Sequence, residues 1–299
     1  VRSGESSGRI RVLAYTPRRV VGADPPPRGT PIVRDACVIR RFADRLTTRS
    51  LVAYAGAHRV ARRAGSRRPG TAVANGARRR NVGEWTQALS DGHDRYRAEV
   101  EPCDEPVSIV CVTSRPARLG ALLRAVGAQV HPVAQLILVA NAAAYDAVDI
   151  DAVVAARSEH LPDVTVLRRS ESVTLGECLN TAIDVVDQRF AAKFDDDDLY
   201  GPEYLSDSMR AHSYAGSGVV GKHTYYAYLE PQDATYLRFP GHEFTYTATV
   251  AGGTLVIDLG RTRSIRFPAT NLGEDREFIR SCLRSGVSTF SADRFGFGQ

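Results

Sequence analysis

From Pro106 onward, apolar residues alternate between two rhythms. Val107-Ser108-Ile109-Val110-Cys111-Val112-Thr113 is a near-continuous run rich in β-branched side chains, as in a strand buried on both faces. Ser114-Arg115-Pro116 breaks it, and Leu119, Leu122, Leu123 and Val126 follow at helical spacing. Leu136–Val139 and Val164–Leu167 read as the second and third strands, and Thr174–Val186 as a helix carrying Leu175, Leu179, Ile183 and Val186. Phe190–Phe194 is a fourth strand. Strands alternating with helices predict right-handed βαβ units, an α/β fold with a mostly parallel central sheet. After Pro202 a helix is expected to about His212. The period then shortens, and Gly218–Lys222, Tyr225–Leu229, Thr235–Phe239, Thr245–Val250 and Gly253–Ile257 read as short strands. Thr270–Asp275 is a loop into a helix bearing Phe278, Ile279, Cys282 and Leu283. Ser288-Thr289-Phe290 is a last strand before the Phe295-Gly296-Phe297-Gly298 end.

Upstream of Pro106 this order is missing. Residues 1–30 are rich in Gly, Ser, Arg and Pro, with at most one strand at Ile10–Tyr15. Val38, Phe42, Leu46, Leu51, Tyr54 and Val60 suggest one or two Arg-rich helices over 32–65, and residues 66–104 lose the pattern again. The expected division is an Arg-rich segment at 1–104, a linker or the remnant of an upstream domain, followed by one domain at 105–299. The net charge of +5 hides the same division: residues 1–104 carry 21 Arg, no Lys and 10 acidic residues, and the rest is net acidic. Nucleic acid is not the expected partner, because the basic residues are not interleaved with aromatics. Five cysteines without CxxC spacing argue against a disulfide scaffold or zinc site and for a reducing compartment. No apolar run approaches the ~20 residues of a membrane span, and Val1–Ile10 is polar. The expectation is a cytoplasmic protein with no integral membrane segment, free to associate peripherally with a membrane face. An apolar fraction of 43% supports a substantial core, in which Cys111 and Trp85 read as packing residues.

The fourth strand runs straight into Asp195-Asp196-Asp197-Asp198 and then a Gly201-Pro202 turn. Four adjacent carboxylates repel one another. They make sense if Mn²⁺ or Mg²⁺ sits there, held by one or two of them and by substrate phosphates. The place fits, since ligands of open α/β sheets bind at the carboxyl ends of strands. The plainer alternative is a solvated acidic loop. An EF-hand is excluded because Leu199 and Tyr200 stand where an oxygen ligand and a glycine are needed. A helical DDxxD site is excluded because neither residue is Asp.

Taken together, Val107–Pro116, Leu136–Asn141, Thr174–Asn180, Lys193–Asp198 and Gly273-Glu274-Asp275 resemble, in order and separation, the GT-A glycosyltransferases, specifically family-2-like enzymes. The resemblance covers about residues 106–299 and implies a Rossmann-like nucleotide-diphospho-sugar transferase domain. It places Thr113 and Arg115 in the nucleotide-binding loop, Asn141 near the nucleobase, and Gly176, Asn180 and Lys193 near the donor. Asp195 would lie by the ribose and metal, Asp197 would ligate the metal, and Asp196 and Asp198 would be supporting residues, Asp196 on the donor side. Asp275 would be the catalytic base, with Glu274 binding the acceptor or orienting the base. The implied activity is metal-dependent, inverting transfer of a sugar from a nucleoside diphosphate donor to a hydroxyl of a glycan or other acceptor.

The chain departs from the family pattern in three places. Ala140-Asn141 stands where Asp-Asp is frequent, the first loop lacks Tyr-Asn, and no His follows Glu274, His223 and His242 both preceding it. Residues 40–65 faintly resemble the tail of a second such domain fused upstream in some bacterial proteins. An inactive or truncated nucleotide- or glycan-binding module is the alternative reading. A nucleotidyltransferase would want a Gly-rich phosphate loop, which Thr113-Ser114-Arg115-Pro116 is not. Gly252-Gly253-Thr254 reads either as the lining of an acceptor cleft or as a hairpin turn before Leu255.

Overall fold

The structure, a computed structural model, describes residues 9–11, 92–156, 161–230 and 234–299. The expected helices over 32–65, the coil that follows and Trp85 lie outside the described residues. Residues 92–99 are helical and belong to one compact unit, while Arg9–Arg11 and the described residues from Pro102 on belong to another.

The centre of the latter unit is an eight-stranded sheet. Strands β2 (Val107–Thr113), β3 (Val133–Ala140), β4 (Asp163–Arg168) and β5 (Phe190–Lys193) are mutually parallel in the order β4-β3-β2-β5. The sheet continues through β11 (Val256–Asp258), antiparallel to both β5 and β7 (Val219–Gly221). β12 (Thr289–Ser291) and β10 (Thr245–Tyr246) complete it. A second sheet has the order β1-β9-β8-β13-β6, built from Arg9–Arg11, Ala234–Arg238, Tyr225–Leu229, Phe297–Gly298 and Leu199–Tyr200.

The apolar runs are continuous because the central strands are covered on both sides. Val107, Ile109 and Cys111 of β2 pack with Leu119, Leu122, Leu123 and Val126 of the helix Leu119–Gly127. Val110 lies in the opposite cluster, with Cys178, Leu179 and Ile183 of the helix Leu175–Asp184 and Phe278, Ile279 and Cys282 of the helix Glu274–Arg284. Neighbouring residues of a strand face opposite ways, so one run feeds two cores. The four cysteines among the described residues are free thiols. No helix among them is long and apolar enough to cross a membrane.

The differences from expectation cluster at short elements. The strand expected over Thr245–Val250 is two residues long, and Leu199–Tyr200 forms an unexpected strand against Phe297–Gly298. Gly252–Thr254 is a 3₁₀ turn, not a hairpin, since the strand after it pairs with β5 and β7 and not with β10. The helix after Pro202 spans Tyr204–Ala215 and stops at Gly216, whose φ of 59° ends it in the left-handed region.

Candidate active site

β5 delivers the four aspartates at its carboxyl end. Phe194, fully buried, stacks on Tyr200 at 3.8 Å between ring centroids. The Tyr200 hydroxyl accepts the Asp195 N–H at 2.8 Å and donates to the Gly253 carbonyl at 2.7 Å. The acidic turn is thereby pinned to the Gly252–Thr254 turn.

The four carboxylates then part company. Asp196 is turned inward and accepts from Thr113 Oγ1 and from the Arg115 guanidinium. Tyr145 lies hydroxyl to hydroxyl with Thr113 at 3.0 Å, and the Arg115 N–H donates to Thr113 Oγ1 at 3.1 Å. Arg115 Nη1 also reaches Asp197 Oδ2 at 2.9 Å. Burial works to push Asp197 up, but the hydrogen bond and charge of Arg115 outweigh it and hold this carboxyl below its ordinary value. Asp198 has no ion-pair partner among the described residues, and the pull of Lys193 and Arg115 is too weak to hold it down. Burial, then the charges of Asp195 and Asp197, push it up to about 7.

On the other side stands Lys193, 4% exposed. Its ammonium donates to Asp195 Oδ1 at 2.7 Å, Asp275 Oδ2 at 3.3 Å and the Gly252 carbonyl at 3.4 Å. Burial works against its charge, but Asp195 and Asp275 more than compensate and raise its pKa. Asp275 sits in the first turn of the helix Glu274–Arg284, entered through Gly273 at φ 78°. Burial drives Asp275 up to about 7, helped by Glu274 and Asp195 and opposed by Lys193. Its second oxygen, Oδ1, is buried without a hydrogen-bond partner among the described residues. Glu274, the helix's first residue, is buried beside it.

The two glycines of the 3₁₀ turn allow this convergence. A methyl group on Gly252 would lie 2.0 Å from Asp275 Oδ2. One on Gly253 would lie 2.3 Å from Asp198 Oδ2 and 2.9 Å from Asp195 Oδ2. Three aspartates that are remote or crowded in sequence thus converge on a floor without side chains, a cleft-lining role and not a hairpin one.

The structure therefore brings together Thr113, Arg115, Lys193, Asp195, Asp196, Asp197, Glu274 and Asp275. The Lys193 ammonium is buried and donates to two carboxylates and a carbonyl. Gly176 and Asn180 lie against the backbone at Phe267 and Pro268. A methyl group on Gly176 would lie 1.8 Å from the Pro268 carbonyl oxygen. The Asn180 amide clasps the Phe267 backbone, donating at 2.8 Å and accepting at 2.9 Å. With the Leu175 N–H bound to Asn271 Oδ1 at 2.8 Å, this helix start moors the loop that leads to Glu274 and Asp275. A Thr174–Glu177 capping box fixes the helix start itself. Asn141 ties the end of β3 to the loop after β4, donating to the Ser170 carbonyl at 2.7 Å.

Sequence reasoning missed Tyr145 and Tyr200 and placed Asp198 among supporting residues. The Gly252-Gly253 pair was the one available signal, because paired glycines at a strand boundary often mark close approach.

Residues 108–271, more than half the chain, match the family described as Glycosyl transferase family 2. The match stops just short of Glu274 and Asp275. In three dimensions the chain is similar to a 1–349 fragment of S. aureus TarS, with a TM-score of 0.50 and 16% identity over 64% of this chain and 60% of that one. The same fragment in complex with UDP-GlcNAc gives a TM-score of 0.51 and 17% identity over 65% and 58% of the two chains. Against longer TarS the TM-score is 0.51, and the match covers only 36% of that chain. The likeness thus spans less than two thirds of these proteins and establishes the fold as GT-A. No curated protein matches in sequence.

Proposed function

The chain belongs to glycosyl transferase family 2, and from that premise we propose that it transfers a sugar from a nucleoside diphosphate donor to a hydroxyl of a glycan or other acceptor, with inversion. The observation that carries this reading is the bridge made by Lys193. One buried ammonium holds Asp195, at the end of β5, and Asp275, on a helix 82 residues from Lys193. Asp275 keeps one buried oxygen unpartnered among the described residues. A donor-side and an acceptor-side carboxylate are thus fixed relative to each other by a single charge.

Asp275 then acts as general base. A carboxylate raised to about 7 by burial is a stronger base than an ordinary one and suits taking a hydroxyl proton near neutrality. The acceptor oxygen, as its proton passes to Asp275, forms a bond to the anomeric carbon. The bond from that carbon to the diphosphate oxygen breaks, its electron pair leaving with the nucleoside diphosphate. Attack opposite the leaving group inverts the centre, by the geometric logic that separates inverting from retaining glycosidases. Glu274, beside the base, binds the acceptor or orients Asp275. Thr113, Arg115 and Asp196 hold the loop after β2 against the acidic turn, where the donor's nucleotide would lie.

The acidic turn suits Mn²⁺ or Mg²⁺ on two counts. Asp198 is pushed up by burial and then by Asp195 and Asp197, a charge crowding that a cation would relieve, and Gly253 leaves open the space a Cβ would fill between Asp198 and Asp195. Asp195 and Asp197 would hold the ion, with Asp198 next to them. Bound there, it would supply charge neutralisation for the departing diphosphate. The similar TarS fragment has been crystallised with UDP-GlcNAc, so UDP-sugars are the first donors to try.

The test is turnover of UDP-, GDP- and CDP-sugars with Mn²⁺ and an acceptor panel, followed by NMR of the product's anomeric proton. Inverted product from one donor is expected. A retained anomeric configuration, or no turnover of any donor by folded protein, would overturn the proposal.

A further inference from the structure

Beyond the carboxylates, backbone strain is concentrated in one loop. Phe239 and Phe244 have φ of 44° and 51°, the only non-glycine residues with positive φ among the described residues, and Gly241 between them has φ 90°. Side chains seldom adopt this region, and such strain persists only where surrounding structure over-determines it, frequently at ligand sites. Here it is over-determined. The fully buried Thr224 hydroxyl donates to the Phe239 carbonyl at 2.6 Å and accepts the His242 N–H at 3.1 Å. Arg294 Nε pairs with both Glu243 oxygens at 2.8 Å, a nearly buried ion pair that fastens the middle of the loop.

The clamp displays a ring with two imidazoles. Phe239 is 40% exposed. The His223 ring lies 5.3 Å from it, and His242 lies 4.4 Å from His223, edge to face. Arg238 backs the group, with its guanidinium 5.1 Å from the Phe239 centroid and 5.9 Å from that of Tyr225. His223 Nδ1 is engaged with Thr247 Oγ1 at 3.2 Å, so Nε2 is the edge left for a ligand among the described residues. Burial, then His242, hold His223 down to about 4, so at neutral pH it offers hydrogen bonds without charge.

This cluster adjoins the site above. The carbonyl of Lys222, the residue before His223, accepts the Ala251 N–H at 2.9 Å. The next residue, Gly252, is the floor beneath Asp275. His223 and Gly252 are therefore within about 13 Å along two chain steps and one inter-strand step, a distance a short saccharide bridges.

We propose that Phe239, His223 and His242 form an acceptor subsite for a pyranose ring, with the sugar's C–H face on Phe239 and its hydroxyls on the two imidazoles. The acceptor is then a saccharide, not a linear polyol. This rests on the proposed transfer reaction and names its second substrate class. An apolar ring face matches a sugar's axial hydrogens, and imidazole nitrogens match its hydroxyls.

Saturation-transfer NMR with methyl glucopyranosides, galactopyranosides and mannopyranosides tests it, with sorbitol and glycerol as linear controls. The wild type should saturate the ring protons of at least one glycoside and neither polyol. Phe239→Ala should weaken that binding about tenfold, the scale of one lost ring contact. His223→Ala should also weaken it. Both variants should keep the wild-type circular dichroism and affinity for UDP, GDP or CDP. No glycoside saturation, equal saturation of the polyols, or binding unchanged in both variants would overturn the subsite. Failure of every nucleotide to bind would instead strike the transfer reaction, because glycoside binding is read without a donor.

Discussion

The chain contains only two lysines among 39 basic residues, and both are buried against aspartates. Lys222 donates to the Asp293 carbonyl at 3.0 Å and to its Oδ1 at 3.1 Å, with the Tyr204 ring 5.6 Å away. Its partners lie in one residue, and the pair fastens the segment after β12 to the end of β7. Lys193 divides its charge between two carboxylates on different elements, both facing the glycine floor. An ammonium is a compact point charge that can be shared among acceptors at wide angles. The contrast teaches that a buried ion pair is not by itself a functional mark. Asp293 Oδ2, like Asp275 Oδ1, is buried without a hydrogen-bond partner among the described residues, so what distinguishes Lys193 is that its two carboxylates come from different elements and meet at the glycine floor.

The same substitution at each pair separates the two roles. Asp275→Asn should lower turnover by about 10²–10⁴, the usual worth of a general base, while leaving nucleotide affinity unchanged in calorimetry. Asp293→Asn should leave Lys222 uncompensated and cost about 3–5 kcal/mol of unfolding free energy in urea, with turnover per folded molecule intact. If Asp293→Asn instead removed turnover without loss of stability, the distinction between the pairs would collapse.

A smaller effect sharpens the same point. Asp275 is raised to about 7 by burial, and a base works only when deprotonated. The rate at saturating substrate should therefore rise with pH through an acidic limb near 7, falling tenfold per pH unit well below it. A limb near 4 would mean that Lys193 governs Asp275 more strongly than burial does, and that the base is weaker than proposed.

How much of this was legible beforehand follows from the physics of each element. The four parallel strands and the helices Leu119–Gly127 and Leu175–Asp184 were readable because two-sided burial writes itself as apolar runs and amphipathic helices write a regular spacing, whereas the six-residue helix Ile150–Ala155 was not. Two-residue strands such as Leu199–Tyr200 and Thr245–Tyr246 are too short to carry a period. Asp195 and Asp275 could be picked out as chemistry-bearing residues, but four identical carboxylates in a row say nothing about which faces where. Arg115 and Thr113 claim Asp196, and Gly253 makes room for Asp198, contacts set by residues far away in sequence. Gly176 and Asn180 have the right types for a donor site. Only the approach of Pro268 and Phe267 reveals that they moor the loop before Asp275.

The central claim is that the acidic turn is a metal-assisted nucleotide site facing a base. Calorimetric titration of the protein and of Asp197→Ala with UDP, GDP and CDP, with and without Mn²⁺, tests it most directly. The account predicts that one nucleotide binds, that binding needs Mn²⁺, and that Asp197→Ala abolishes it. Equal binding without Mn²⁺ and in the variant, or no binding of any nucleotide to protein shown to be folded, would contradict it.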